Sequence, residues 1–158
     1  MSEVIIRAYR KTDCEAVLRI TEESFEGFCM DYNMEQHFGR IAGTTWRERK
    51  RDGIQYELRR HGEHTLVAAL DGEVVGYVCT RIEVDYATGH IANLAVAKAY
   101  QSRGIGKMLL RQALDHLREC GMRYARIETL EQNFKGRQLY PTFGFKEIGR
   151  QVYYLREL

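Results

Sequence analysis

The 158-residue sequence predicts a mixed α/β fold in a single domain, and three observations carry that expectation. Short β-rich runs alternate with stretches of helical period along the whole chain. Two of the β-rich runs meet at Asp71-Gly72, a strong hairpin signal. An apolar run, His90 to Val96, leads through Gln101-Ser-Arg-Gly-Ile-Gly-Lys107 into an amphipathic helix. Strands interspersed with helices in this way imply layers of helix packed on a sheet.

Taken in order, Val4 to Tyr9 reads as a first strand, and Thr12-Asp-Cys-Glu15 as a capping box that opens a helix through Phe25. Between Gly27 and His61, Met34, Phe38, Ile41 and Trp46 suggest one or two helices interrupted by Gly39, Gly43 and Gly53. His64 to Leu70 and Glu73 to Ile82 form the hairpin, and Tyr86 to Val96 a further strand. The helix from Gly104 to Cys120 carries Leu110, Ala113, Leu114 and Leu117 on one face, and Gly121 stops it. Arg123 to Leu130 is expected as a strand and Asn133 to Tyr140 as a short helix that Pro141 ends from outside. Phe143 to Arg150 and Val152 to Glu157 are expected as two closing strands.

Bulk properties exclude more than they assign. The 24 basic and 22 acidic residues leave a formal charge of +2, far from the excess of a general nucleic-acid binder, so no nucleic-acid partner is expected. No apolar run approaches the roughly 18 residues of a membrane span, and Met-Ser-Glu-Val-Ile-Ile lacks signal-peptide character. A cytoplasmic protein without membrane association is the expectation. Cys14, Cys29, Cys79 and Cys120 are widely spaced, with no Cys-x-x-Cys and no histidine at metal-ligand offsets. They predict reduced, mostly buried thiols, no disulfide and no metal.

The chemistry centres on Gln101 to Lys107. Gly104 and Gly106 at a first helical turn let backbone N–H groups approach an anion that the helix N-terminus favours, while Arg103 and Lys107 add full charges. The loop reads as a pyrophosphate cradle. Spacing excludes two rivals: a dinucleotide fingerprint needs glycine where Leu109 stands, and a Walker A loop needs glycine at Gln101 and Ser or Thr at Met108.

What remains is Gln-x-x-Gly-x-Gly, which resembles the acetyl-CoA loop of the GNAT superfamily of N-acetyltransferases. Asn93-Leu-Ala-Val96 before the loop, and Asn133 to Tyr140 followed by Gly144-Phe145 after it, are similar to that family's flanking motifs. The resemblance covers Val74 to Leu158; residues 1–63 agree only in outline. It implies a GNAT-like fold with a mixed, mostly antiparallel sheet of six to seven strands and about four helices. Its central strands would be splayed at a CoA slot. Acetyl-CoA would be a cosubstrate, with Leu94, Ala95, Val96, Gln101, Ser102, Arg103, Gly104, Ile105, Gly106, Lys107, Asn133 and Tyr140 as binding residues. Backbone groups of Leu94 to Val96 would bind the pantetheine arm as an added strand does.

The same resemblance implies transfer of acetyl to a primary amine by direct attack in a ternary complex. The Val96 N–H would face the thioester carbonyl, and Tyr140 would protonate the leaving thiolate. Asn133 is read both as a helix N-cap and as a ligand of the CoA arm. For the base, Glu128 is preferred, with His90 and bulk water as alternatives. Glu22, Glu23, Glu26, Asp31 and Glu35 would draw a cationic acceptor, but Arg47, Arg49, Lys50 and Arg51 blunt that attraction. A catalytically silent acyl-CoA-binding module is the rival reading, and the resemblance allows a homodimer.

Overall fold

The computed structural model describes residues 2–158. Five strands, β1 (Val4–Ala8), β2 (Thr65–Leu70), β3 (Glu73–Glu83), β4 (Thr88–Val96) and β5 (Tyr124–Ile127), form one sheet in the order of the sequence. The first four pair antiparallel, and β5 lies parallel to β4. The parallel step needs a crossover, which α4 (Ile105–Glu119) supplies. The remaining helices are α1 (Cys14–Ser24), α2 (Met30–Phe38), α3 (Trp46–His61) and α5 (Phe134–Thr142).

Turn chemistry fixes the hairpin register. Asp71 and Gly72 both take positive φ, +50° and +82°, the pair of left-handed residues that a type I′ turn requires. Gly121 at φ +83° follows the end of α4 as expected. The sheet is buried on both faces, which is why β3 reads as a nearly continuous apolar run. On one face Val17, Leu18 and Ile20 of α1 and Ile54 and Leu58 of α3 pack with Val67, Tyr77 and Cys79. On the other, Ile105, Leu109, Leu110, Ala113 and Leu117 of α4 pack with Val75, Val78 and Ile91. Leu114 lies at the margin of this second cluster. Cys29 and Cys79 are buried, and Cys14 and Cys120 are half-buried.

Several expectations are corrected. Thr12 does not cap α1: a turn of 3-10 helix (Lys11–Asp13) precedes it, and the Asp13 carboxylate accepts the Arg10 N–H at 2.8 Å and a two-pronged Arg7 guanidinium at 2.7 and 2.9 Å. The segment 27–61 holds two helices, in agreement with the one or two expected, and a capping box of Thr45 and Glu48 starts α3. Gly53 lies inside α3, where it costs about 1 kcal/mol of propensity. Pro141 lies inside α5 rather than beyond it, in a last turn tightened by a Phe143 N–H to Tyr140 carbonyl bond.

The two closing strands do not form: 143–150 and 152–157 are irregular, and Ile148 and Tyr154 are exposed. β-propensity is realised only against an available edge, and β5 offers just four residues, ending at Ile127 rather than Leu130. Among the described residues the sheet therefore has five strands and the fold five α-helices. No described helix is long and apolar enough to cross a membrane.

Helix α4 packs tightly on the sheet at Gly89 of β4, where an added Cβ would lie 2.5 Å from Leu117 Cδ2. Leu117 is itself fully buried and has nowhere to retreat. Gly89→Ala is expected to destabilise the protein by about 1–3 kcal/mol, the range for overpacking a filled core. Denaturant unfolding of the variant against wild type measures it.

Candidate active site

The backbone of β4 creates the site. Cys79 faces Asn93 and Thr80 faces Ile91, so Ala92 is an extra residue on β4, a bulge that bends the strand. Pairing with β5 stops there, its last partners being Ile91 and Ile127, while β4 runs on to Val96. Past Ile91, β4 therefore has no partner on its β5 side. The Ala97 N–H donates to Val75 at 2.8 Å, so by ladder alternation the N–H and C=O of Val96 and Leu94 point away from β3 into the gap. Consistently, the Val96 carbonyl accepts from Ser24 Oγ and Gln101 Nε2, both at 3.0 Å.

The glycine loop lies beside this edge. Gly104, at φ +81°, is the N-cap residue of α4, and no side chain caps the helix. Ser102 also takes positive φ, +63°. A Cβ on Gly104 would meet nothing within 4 Å, and one on Gly106 only Val96 Cγ2 at 3.8 Å. The protein's own packing thus leaves both positions bare, and the N–H groups of Ile105, Gly106 and Lys107 have no acceptor among the described residues. That geometry suits a bound pyrophosphate. Arg103 lies over the Tyr100 ring at 5.2 Å. An open cleft of about 530 Å³ continues from Lys107 past Arg111 and Arg118. Ile105 is buried in the core instead of facing the loop. The Gln101 side chain bridges Val96 and Lys135, so its place in the loop is that of a brace.

α5 closes the other side. The Asn133 carboxamide caps it, accepting from the Gly136 N–H at 3.1 Å and donating to Thr129 Oγ1 at 2.8 Å. The cap, one of two compatible readings of Asn133, is present in this geometry. Tyr140 folds back over Gly136: a Cβ there would lie 3.1 Å from the phenol oxygen and 2.7 Å from Asn133 Nδ2. Phe145 meets the Tyr140 ring edge-on at 6.1 Å. Burial raises the Tyr140 pKa, so the phenol keeps its proton at neutral pH.

His90 and Glu128, rival candidates in the sequence, form one pair with Nε2 and Oε2 2.6 Å apart. Glu128 sits one residue past β5 and also accepts from Arg126 at 2.6 Å, and Arg126 reaches Glu83. Against a carboxylate, Nε2 must carry the hydrogen, which leaves Nδ1 as a lone pair; that atom is buried without a partner. Burial, the largest cause, lowers the His90 pKa despite the opposing pull of Glu128. Arg81, opposite His90, is held by the buried Glu57 at 2.8 and 2.5 Å.

The far wall of the gap is α2 and α3. Gln132 Nε2 donates to the Gly27 carbonyl and to Asn33 Oδ1, and Lys50 Nζ to Asn93 Oδ1 at 2.9 Å. Lys50 also lies 4.2 Å above the Phe25 ring, and burial lowers its pKa. The acidic side chains of this region are largely paired: Glu26 with Arg47, Asp31 and Glu35 with Arg49, Glu22 with Arg51.

A family model described as the acetyltransferase (GNAT) family matches residues 14–145. The chain belongs to that family. Among curated relatives, an N-alpha-acetyltransferase of Sulfolobus acidocaldarius is 31% identical over 102 residues, 58% of this chain and 61% of its own length. The GNAT chain thus spans about three-fifths of that archaeal relative. The L-amino acid N-acetyltransferase AaaT of Escherichia coli is 27% identical over 153 residues, 94% of this chain and 86% of its own. In fold, it is similar to the PaiA N-acetyltransferase of Thermoplasma acidophilum in complex with coenzyme A, with TM-score 0.71 and 22% identity, covering 91% and 90% of the two chains.

Ser24, Gly136, Arg111, and the Lys50–Asn93 and Arg81–Glu57 contacts were not singled out for the site from sequence. Only Gly136, three residues after Asn133, left a legible sign; the others depend on contacts between distant segments. The His90 geometry carries a pH signature. Its pKa in the folded GNAT domain lies below the ordinary 6.5, so the unfolded chain takes up the proton first as pH falls. The stability from neutral His90 is present above about pH 6.5 and is lost as pH drops towards the folded value. Melting curves from pH 5 to 8 should show wild type losing more stability at the acid end than His90→Gln.

Proposed function

We propose that this GNAT chain transfers acetyl from acetyl-CoA to a primary amine by direct attack, both substrates being bound together. The observation that carries the reading is the outward-facing backbone of Leu94 and Val96 beside an uncapped glycine loop, with a protonated phenol on the opposite wall. The first-turn N–H groups from Gly104 to Lys107, with Arg103 and Lys107, hold the pyrophosphate. Leu94 to Val96 hold the pantetheine arm as an added strand would. The Val96 N–H meets the thioester oxygen, where a donor aimed at developing charge contributes about 3–4 kcal/mol.

Tyr140 Oη gives its proton to the departing thiolate. Its burial among apolar groups preserves that proton until the step. Glu128 is half exposed while His90 Nδ1 is sealed, so the carboxylate draws the ammonium and accepts its proton, directly or through water. His90 then acts as a positioning residue that holds Glu128 by Nε2–H. With the acidic side chains of the far wall engaged by arginines, Glu128 becomes the carboxylate nearest the chemistry. Acceptors are amines of amino acids or of peptide N-termini, the classes that the named relatives act on.

The deciding experiment follows free thiol release from acetyl-CoA with a panel of amino acids, N-terminal peptides, lysine peptides, polyamines and aminoglycosides. Turnover on an amine is expected; binding of acetyl-CoA without turnover on any of them points to a silent binding module. Two variants separate binding from chemistry. Gly106→Asp fits the space sterically yet sets a carboxylate against the anion, so calorimetry should show a folded protein that has lost acetyl-CoA binding. Tyr140→Phe should keep binding and lose kcat by about 10²- to 10⁴-fold.

A further inference from the structure

At the opposite end of α4 from the glycine loop, three metal-ligating side chains from distant parts of the sequence converge. The ligand atoms of His64, His116 and Cys120 all lie within 4.8 Å of one another. His64 Nδ1 is 3.1 Å from His116 Nε2, and Cys120 Sγ is 3.7 Å from the same Nε2. A tetrahedral ion with bonds of about 2.05 Å to nitrogen and 2.3 Å to sulfur sets nitrogen from nitrogen at about 3.3 Å and nitrogen from sulfur at about 3.6 Å. The side chains therefore already stand close to ligand spacing.

Each of the three is held in place by the fold. His116 in the last turn of α4 and Cys120, the residue that caps its C-terminus, are four residues apart on one face, kept at helical spacing by the Cys120 N–H to His116 carbonyl bond. His64 ends the short turn Gly62–His64 before β2, and Thr80 Oγ1 donates to its carbonyl at 2.7 Å. The second ring nitrogen of His64 lies 3.8 Å from the Glu63 carboxylate, beyond hydrogen-bond distance, so a small turn of either side chain would let Glu63 accept Nε2–H and leave Nδ1 free to ligate. The carbonyl end of a helix also favours a cation.

We propose that His64 Nδ1, His116 Nε2 and Cys120 Sγ form a three-ligand site for a zinc-class divalent ion, with solvent in the fourth position. Two imidazoles and a thiolate select zinc, cobalt or copper over magnesium or calcium. Binding releases the thiol proton to solvent and leaves both rings neutral. All three residues are partly exposed, so an ion has access. His116 lies twelve residues beyond Gly104, about 18 Å along the helix, so the ion clamps α4 to the entry of β2 instead of acting on the acetyl group. The expectation from sequence of no metal and no histidine at ligand offset overlooked the His116–Cys120 spacing, because its third member is 52 residues away.

The test uses untagged, reduced, chelator-treated protein titrated with cobalt(II), then with zinc in competition, and melted with and without zinc. One equivalent of cobalt is expected, with tetrahedral visible bands and a thiolate-to-cobalt charge-transfer band that Cys120→Ser abolishes. Zinc should raise the melting temperature of wild type, and His64→Asn and His116→Gln should each weaken zinc binding at least about tenfold. Should His116→Gln fail to fold, His64→Asn, on a surface turn, carries the same measurement. Acetyl-CoA binding in each variant reports an intact fold. No saturable cobalt binding, a thiolate band surviving in Cys120→Ser, or unchanged zinc affinity in His64→Asn would each overturn the site and leave a hydrogen-bonded imidazole pair.

Discussion

A strand within a sheet satisfies its backbone on both sides, and an interior strand that loses one partner must find another for its N–H and C=O groups. Beyond Ile91, β4 is in that position. The Ala92 bulge turns it from β5, one outward carbonyl is taken by Ser24 and Gln101, and the outward N–H groups of Leu94 and Val96 have no partner strand. The glycine loop, the α5 cap and the far wall are all arranged around that gap. Were β5 to zip up to Val96, the slot would be closed by the sheet's own hydrogen bonds.

Around this edge the chain keeps polar groups in defined partnerships and leaves few free. Glu57 fixes Arg81 and Arg126 fixes Glu128, while Lys50 is committed to Asn93. Beside them stand the Tyr140 phenol, whose proton is retained by burial, and the half-exposed Glu128 carboxylate with the buried His90 imidazole behind it. Glycine has two opposite uses here. At Gly136 and Gly89 it admits neighbouring protein, whereas at Gly104 and Gly106 it leaves a surface bare.

The helix α4 links two regions of unlike character. Its N-terminus is uncapped and electropositive, and its apolar face seals one side of the sheet. Its C-terminus gathers His116, Cys120 and, from before β2, His64. Holding both ends matters mechanically, because the loop's position relative to the β4 edge is set by how α4 lies on the sheet.

The local rules were legible in the sequence because they act over a few residues. Asp71-Gly72 named a turn that needs two left-handed residues, the Gly-x-Gly after an apolar run named the start of α4, and the spacing of apolar residues named its buried face. These gave the α/β class, the hairpin and the buried face of α4. What depended on partners was not legible. The runs after Phe143 have strand composition but no edge to pair with, and Asp13 displaced Thr12 because Arg7 reached it from β1. Glu128 and His90 looked like alternatives until the parallel register of β4 and β5 set them 2.6 Å apart, and three metal-ligating side chains met only once α4 crossed the sheet. Sequence fixes conformational preference within a turn or a helical repeat; which side chains face each other across the fold is decided by packing, since it is the burial of both faces of one sheet that selects the register.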